Sequence, residues 1–432
     1  MQIILPTQGV RRAAMVGELL LFLLAAAWII KTAVADTVAR NSTVRTLQLA
    51  IRLAPRNSEY HLRLGRLYQY SAADIDPEQS LTQIQAAARL NPYDPQVWLD
   101  LAAALEFRGR IKEAEACLRF ADGVAPQLPA YQWTIGNFFL LHGNIDEAFP
   151  HFRAVLAGTS RFDGILFDTA WKAAGNAQQI LQQLIPRRNE TEFSYLNYLV
   201  SRRLDLAAQE VWQRIAKSPG YFSPTAAAPY LDSLIGTHHP TEAYQVWSDL
   251  LSRGTIRPTY QPTGLNLLIN GGFEEELLNM GFDWRSTPVA GIYTGLDTST
   301  FHSPSHALYI HFPGKENYDY RHFYQWVKVK PGRAYQLQAM MKTEGITTDS
   351  GPRLEVRDLY DPSALDKFSD DLEGTHLGWT TLSIDFTTGP KTELIVVAIR
   401  RLPSRKLDNQ IEGEVWVDDV SLTAEKPGKV SP

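Results

Sequence analysis

The chain has 432 residues, 44% hydrophobic and 21% charged, a balance that excludes whole-chain disorder and a polytopic membrane protein. Its 42 basic and 47 acidic side chains give a formal net charge of −5, which argues against a nucleic-acid surface, since phosphate neutralisation needs clustered lysine and arginine. A single cysteine, Cys117, excludes an internal disulfide, cysteine-based zinc modules and iron–sulfur ligation, so two or three domains must be held by packed cores.

Residues 19–30 read LLLFLLAAAWII, without a charge. That run falls short of the roughly 20 residues that span a bilayer. It lengthens to 13–35 if Glu18 and Lys31 snorkel toward opposite interfaces. Arg11 and Arg12 precede it and no acid does before Glu18, which places the N-terminus in the cytoplasm. Residues 1–36 therefore read as a cytoplasmic tail and a single-pass anchor in a bacterial inner membrane, with the bulk of the chain in the periplasm. The alternative is a cleaved signal peptide, whose cut would follow the A-x-A pattern Ala33-Val34-Ala35, leaving a secreted or periplasmic protein. A buried core helix is the third reading. Either of the first two exports the rest of the chain.

From 37 to 253 the sequence is helical and repetitive. Three helix-ending phrases recur: Ala50-Ile51-Arg52-Leu53-Ala54-Pro55, Ala88-Arg89-Leu90-Asn91-Pro92 and Ala121-Asp122-Gly123-Val124-Ala125-Pro126. Pro92 and Pro126 are 34 residues apart. The clearest unit carries Trp98, Leu101, Ala102 and Leu105 on a first helix and Ala114, Leu118 and Ala121 on a second. The next repeats the pattern with Ile135, Gly136, Phe139, Gly143, Ala148, Phe152 and Val155. Large residues fill the space between antiparallel helices, and small ones sit where the axes come closest. Gly109 and Gly143 fall in the inter-helix turns, where a left-handed residue is useful. Beyond 160 the pattern decays into degenerate helix pairs that extend and cap the stack.

This pattern resembles the tetratricopeptide repeat. The resemblance implies an α-solenoid whose concave surface, built by the first helix of each unit, grips a protein partner. The residues facing that groove would include Arg66, Gln69, Leu99, Ala103, Trp133, Asn137 and Leu140. The plainer alternative is a rigid spacer. Cys117 reads as a small buried hydrophobe beside Leu118.

Residues 254–264, GTIRPTYQPTG, read as a linker. After it the period changes to two. Strands are expected at 265–269, 290–296, 307–312, 323–329, 334–342, 353–357, 379–387, 393–399 and 413–423, with a flexible tail over 424–432. About nine short strands at regular spacing predict an antiparallel β-sandwich of jelly-roll type.

The phrases Asn266-Leu267-Leu268-Ile269-Asn270-Gly271-Gly272-Phe273-Glu274 at the start and Trp416-Val417-Asp418-Asp419-Val420-Ser421-Leu422 at the end bracket this region. Their order, with Trp284, Tyr324-Gln325-Trp326 and Gly378-Trp379 between, resembles the CenC-type carbohydrate-binding module, a galactose-binding-like jelly roll. Pairing of the first and last strands would bring Glu274 near Asp418 and Asp419. Strand alternation sends the two aspartates to opposite faces unless a bulge intervenes. In the resembled family such acids hold a structural calcium. The alternative is hydrogen bonding to backbone amides at the sandwich edge.

Sugar binding would use rings that stack on pyranose faces, and the expected candidates are Trp284, Tyr293, Tyr318, Tyr320 and Tyr324. The polar and aromatic segment 315–321 suits a binding loop, while Trp326, Trp379 and Trp416 are assigned to the core. Acid pairs such as Glu274–Glu276 and Asp370-Asp371 occur, but no nucleophile elbow, phosphate loop or H-E-x-x-H motif does. His302, His306, His311 and His322 fit no standard zinc spacing. The sequence thus predicts a non-catalytic scaffold that binds a protein through its repeats and a polysaccharide through its jelly roll, accessory to surface polysaccharide synthesis or export. A protein-only scaffold is the main alternative, and an enzyme acting on cell-wall glycan a distant one.

Overall fold

The computed structural model describes residues 8–425. The chain divides into two compact units, Met1–Thr191 and Glu192–Pro432.

The first unit is helical. It begins with α1 (Gln8–Ala39), a helix long and apolar enough to cross a membrane by length and composition, with its most apolar window unburied. Its last turns belong to a packed core, since Ala35 and Ala39 are buried with Leu47 and Ala50 of α2 (Val44–Leu53) and with Tyr60 and Leu64 of α3 (Ser58–Tyr70). The Tyr60 hydroxyl also donates to Asp36. Helix α3 pairs with α4 (Pro77–Leu90), α5 (Pro95–Phe107) with α6 (Ile111–Val124), and α7 (Pro129–Leu141) with α8 (Ile145–Gly158).

The prolines explain the helix starts. Pro77, Pro95 and Pro129 open helices, where the missing N–H has no intrahelical partner to lose. Asp76 and Asp94 cap the first two by accepting backbone N–H groups. Gly109 and Gly143 take φ of +71° and +76° in the turns between paired helices. Two other glycines set the helix spacing. A β-carbon on Gly65 would lie 2.5 Å from Ile84 Cγ1, and one on Gly136 would lie 2.5 Å from Phe152 Cε1. Cys117 is buried, which pushes its thiol up to about 11, an inert state. The unit continues through α9 (Asp163–Ala174) and a short turn, α10 (Ala177–Gln179), which runs into a π-helical turn over Ile180–Leu184.

The boundary falls in the first turn of α11 (Asn189–Ser201), and the second unit holds the rest of that helix, α12 (Asp205–Lys217), α13 (Ala228–Gly236), α14 (Pro240–Ser252) and a β-sandwich. Residues 254–264, expected to be a linker, are packed: Ile256 and Tyr260 are buried, the Trp247 indole donates to Tyr260 O at 3.0 Å, and the Tyr260 hydroxyl donates to Glu276 O at 2.6 Å. The last helical pair is fused to the sandwich by further contacts. Arg285 pairs with Asp232, and the Tyr360 hydroxyl donates to Ile235 O at 2.7 Å. Gly281 has φ +54°, and a β-carbon there would meet the Trp247 ring at 2.5 Å.

The strands are β1 (Arg285–Ser286), β2 (Tyr293–Asp297), β3 (Ala307–Pro313), β4 (Tyr320–Lys328), β5 (Ala334–Ile346), β6 (Arg353–Asp358), β7 (Asp366–Phe368), β8 (Gly374–Thr387), β9 (Leu394–Arg401) and β10 (Glu412–Ala424). They form two antiparallel sheets in the orders β1-β4-β9-β6-β7 and β2-β3-β10-β5-β8. Alternation puts Leu308, Ile310 and Phe312 of β3 and Leu337, Ala339 and Met341 of β5 into the shared core. Trp284 stacks there on Phe323 at 5.1 Å, and its indole donates to Asn270 O. The expected first strand at 265–269 is not a regular strand. Leu267 N donates to Leu422 O, and the Gln325 side chain replaces a neighbouring strand by bonding both the N–H and the C=O of Ile269.

Candidate functional site

The outward face of the second sheet is where strand alternation gathers the aromatic and polar side chains. In register across it lie Gly295 of β2, Tyr309 of β3, Trp416 of β10 and Lys342 of β5. Tyr293 lies two residues along β2, opposite His311. The rings form a row: Tyr293 to Tyr309 at 5.9 Å and Tyr309 to Trp416 at 5.4 Å. Lys342 Nζ sits 5.0 Å above the Trp416 ring. A β-carbon on Gly295 would lie 2.7 Å from the Tyr293 hydroxyl, so glycine leaves the room in which that ring lies along the sheet.

Two carboxylates hold the row. The Trp416 indole donates to Asp297 Oδ2 at 2.7 Å, and the Tyr309 hydroxyl donates to Glu414 Oε1 at 2.9 Å. Burial opposes ionisation of Asp297, but the Ser299 hydroxyl and amide, the Trp416 indole and the Thr300 amide outweigh it and hold its carboxyl below the usual range. Burial and the Glu414 carboxylate push the Tyr309 phenol up to about 12, so it stays a donor. Tyr293 is 59% exposed and caps the row toward solvent. Gln336, Gln338, Ser383 and Asp385 continue the same face with hydrogen-bonding groups.

Of the rings expected to stack on sugars, Tyr293 alone is exposed on this face. Trp284 is fully buried in the sandwich core. Tyr318 and Tyr320 are buried too, the first donating to Ala290 O at 3.3 Å and the second bonded to Thr294 Oγ1 at 3.0 Å. The reason is the pair Arg400 and Arg401, both buried at the end of β9. Arg401 donates to Asn317 Oδ1 and Tyr318 O at 2.6 Å, and Arg400 pairs with Asp319. The segment 315–321 therefore satisfies two buried guanidiniums rather than forming an open loop. Tyr324 is half-buried on the other sheet, 5.8 Å from Trp326. Of Trp326, Trp379 and Trp416, expected in the core, Trp416 is buried and the other two are half-buried, all three outside the inter-sheet cluster.

The three acids expected at a calcium site do meet. A bulge follows Asp418, with Asp419 at φ +49°, so the two aspartates escape the alternation that would separate them. A β-carbon on Gly272 would lie 3.9 Å from Asp418 Oδ1 and from Asp419 Oδ1, and 3.8 Å from Glu274 Cγ. Their oxygens are nonetheless taken. Asp418 Oδ2 accepts the amides of His302 and Ser303 at 2.8 and 2.9 Å, and Asp419 binds His302 Nδ1 at 2.5 Å and the Ser303 hydroxyl. Glu274 accepts the Ser305 amide and hydroxyl and the His306 amide. Among the described residues no group of three acids, imidazoles or thiols is arranged to hold a metal ion. As arranged, the set clasps the 302–306 loop, as the backbone-amide alternative expects.

In the helical unit, Leu99, Ala103, Trp133 and Asn137 line one cavity of about 270 Å³ with Glu106 and Phe138. Arg66, Gln69 and Leu140 do not line it. Arg66 is held by Asp100, with Nε to Oδ2 at 2.8 Å, and Gln69 lies against Ser80.

No known protein family matches this chain, and no curated protein matches it by sequence. Several solved structures are similar to parts of the chain, each at a low TM-score. The enzymatically active domain of bacteriophage CBA120 tailspike protein 4 is 16% identical over 37% of this chain and 22% of that one, with a TM-score of 0.26. A MamA structure is 26% identical over 28% of this chain and 66% of that one, with a TM-score of 0.23. A CBM4 structure is 17% identical over 37% of this chain and 99% of that one, with a TM-score of 0.25. This chain thus spans 22% of the tailspike chain's length. Its own architecture defines the class: a helical-repeat protein with a long apolar N-terminal helix and a C-terminal antiparallel sandwich.

Proposed function

We propose that the protein is a non-catalytic, membrane-anchored adaptor that holds a glycan chain on the outward face of its second sheet and a protein segment on its helical repeats. The observation that carries the glycan reading is the pair of rings Tyr293 and Tyr309 on the outward sheet face, backed by the buried Trp416 and rimmed by Glu414, Lys342 and Asp297. Rings in line along a sheet match the apolar faces of successive pyranose units, and the flanking amides and charges match their hydroxyls.

The acids of this face support a binding role. Glycoside cleavage needs one carboxyl kept protonated as the acid. Asp297 is instead held ionised, and Asp297 and Glu414 both serve as acceptors that fix rings. A retained anchor is supported by Ala35 and Ala39, because cleavage after Ala35 would remove a residue of the first helical core. The repeat cavity around Leu99, Trp133 and Asn137 is where the partner segment would seat. Such an adaptor suits the making or export of a surface polysaccharide on the periplasmic side of a bacterial inner membrane.

Affinity electrophoresis of the full chain through gels containing different polysaccharides tests this. At least one polysaccharide should retard it. Free migration through all of them would sink the glycan reading and leave a protein-only scaffold.

A further inference from the structure

The second unit contains a cavity of about 580 Å³ that takes no part in the sheet face described above. It lies beside the Pro331-Gly332 turn between β4 and β5, and its volume is that of a small-molecule site. Tyr244 of α14, Phe282 and Trp326 supply aromatic walls. Lys328, Lys330 and Arg333 supply three cations, and among the described residues no aspartate or glutamate lines it. The Lys328 ammonium rests on neutral groups, 5.1 Å above the Tyr244 ring and 3.5 Å from Thr241 Oγ1.

An apolar chamber alone would take any hydrophobe. Three cations without an acid among the described lining residues favour an anion, and an arginine among them offers the fork geometry that suits phosphate oxygens. A free inorganic anion would leave the aromatic walls unused. We infer that this cavity binds an amphiphile with a long apolar chain and a phosphate head, the chain against Tyr244, Phe282 and Trp326 and the head between Lys328, Lys330 and Arg333. To this extent the inference rests on the membrane anchor proposed above: a chain held in a bilayer by its N-terminal helix lies where such amphiphiles are abundant. This inference stands apart from the glycan reading, since none of Tyr293, Tyr309 or Trp416 lines the cavity.

The test uses the full chain in phosphatidylcholine nanodiscs and a dodecyl phosphate carrying a terminal diazirine. After photolysis, adducts are mapped by mass spectrometry. Saturable labelling is expected on peptides bearing Tyr244, Phe282 or Trp326. Excess dodecyl phosphate should abolish it, and decyl phosphate should compete on the order of tenfold less well, at about fourfold per methylene. Replacing Lys328, Lys330 and Arg333 together by alanine should weaken labelling at least tenfold with an unchanged melting curve. Leu267→Trp, which keeps the charges and fills the chamber, should do the same. Equal competition by inorganic phosphate would overturn the inference in favour of a free-anion site. Equal competition by dodecanol, or full labelling of the triple variant, would overturn the anionic head. Labelling confined to residues 9–39 would overturn the site itself.

Discussion

Trp416 donates its indole N–H to Asp297 Oδ2 at 2.7 Å, spanning β3 to join the central strand of the sheet to its edge. The bond fixes the deepest ring of the aromatic row from a strand that is otherwise only half-buried. Asp297→Ala should lower stability by about 1.5–3 kcal/mol, the range for a hydrogen bond to a charged group. Glycan affinity should fall with it, and a urea titration beside a binding titration checks both.

The same carboxylate sets an acid limit. Asp297 is held below its ordinary pKa, so its contribution is present above the unfolded-state value near 3.8 and is lost as pH falls through the lower folded value. Glycan binding should therefore be level from neutral pH down to about pH 4 and decline below it. Asp297→Asn should remove that acid-side decline, which binding measured across a pH series would reveal.

Asp283 has the opposite sign. It is fully buried, accepts Leu278 N at 2.7 Å, and burial pushes its carboxyl up to about 7 from 3.8. The folded state holds the proton more tightly, so stability is greatest below the unfolded value and falls as pH rises from about 4 to about 7. The shift corresponds to on the order of 4 kcal/mol across that window. Asp283→Asn keeps an acceptor for Leu278 and carries no charge. Its urea midpoint should vary less between pH 5 and pH 8 than that of the parent, and should exceed the parent's at pH 8.

In the helical unit, Gly136→Ala would place a methyl 2.5 Å from Phe152, which is 1% exposed and cannot swing away. A cost of about 1–3 kcal/mol follows from overpacking. Hydrogen exchange should quicken in α7 and α8 and stay unchanged in the sandwich strands.

The helices were legible because proline and glycine punctuate them by local rules. The phrases closing on Pro55, Pro92 and Pro126 follow the helices that end at Leu53, Leu90 and Val124, and Gly109 and Gly143 turn between paired helices, whatever the tertiary context. The sandwich was legible from alternation, but alternation says which residues share a face and not which face is covered. Trp416 was placed in the core and is indeed buried, but on the outward side of its sheet under Lys342 rather than between the sheets. Tyr318 and Tyr320 looked like a polar loop because nothing local marks Arg400 and Arg401 as buried, and only the folded strand gives those guanidiniums their need for acceptors. The row on β2, β3 and β10 joins residues more than 100 positions apart, and its pairing of Tyr309 with Glu414 has no local signature.

The glycan face is tested most directly by titrating full-length protein in nanodiscs with each soluble polysaccharide of a broad panel, parent beside Tyr293→Ala. Tyr293 is 59% exposed, so its removal should leave the melting temperature unchanged. The account predicts saturable binding of at least one polysaccharide by the parent and at least tenfold weaker binding by the variant. Binding of equal strength in both, or none by the parent, would contradict it.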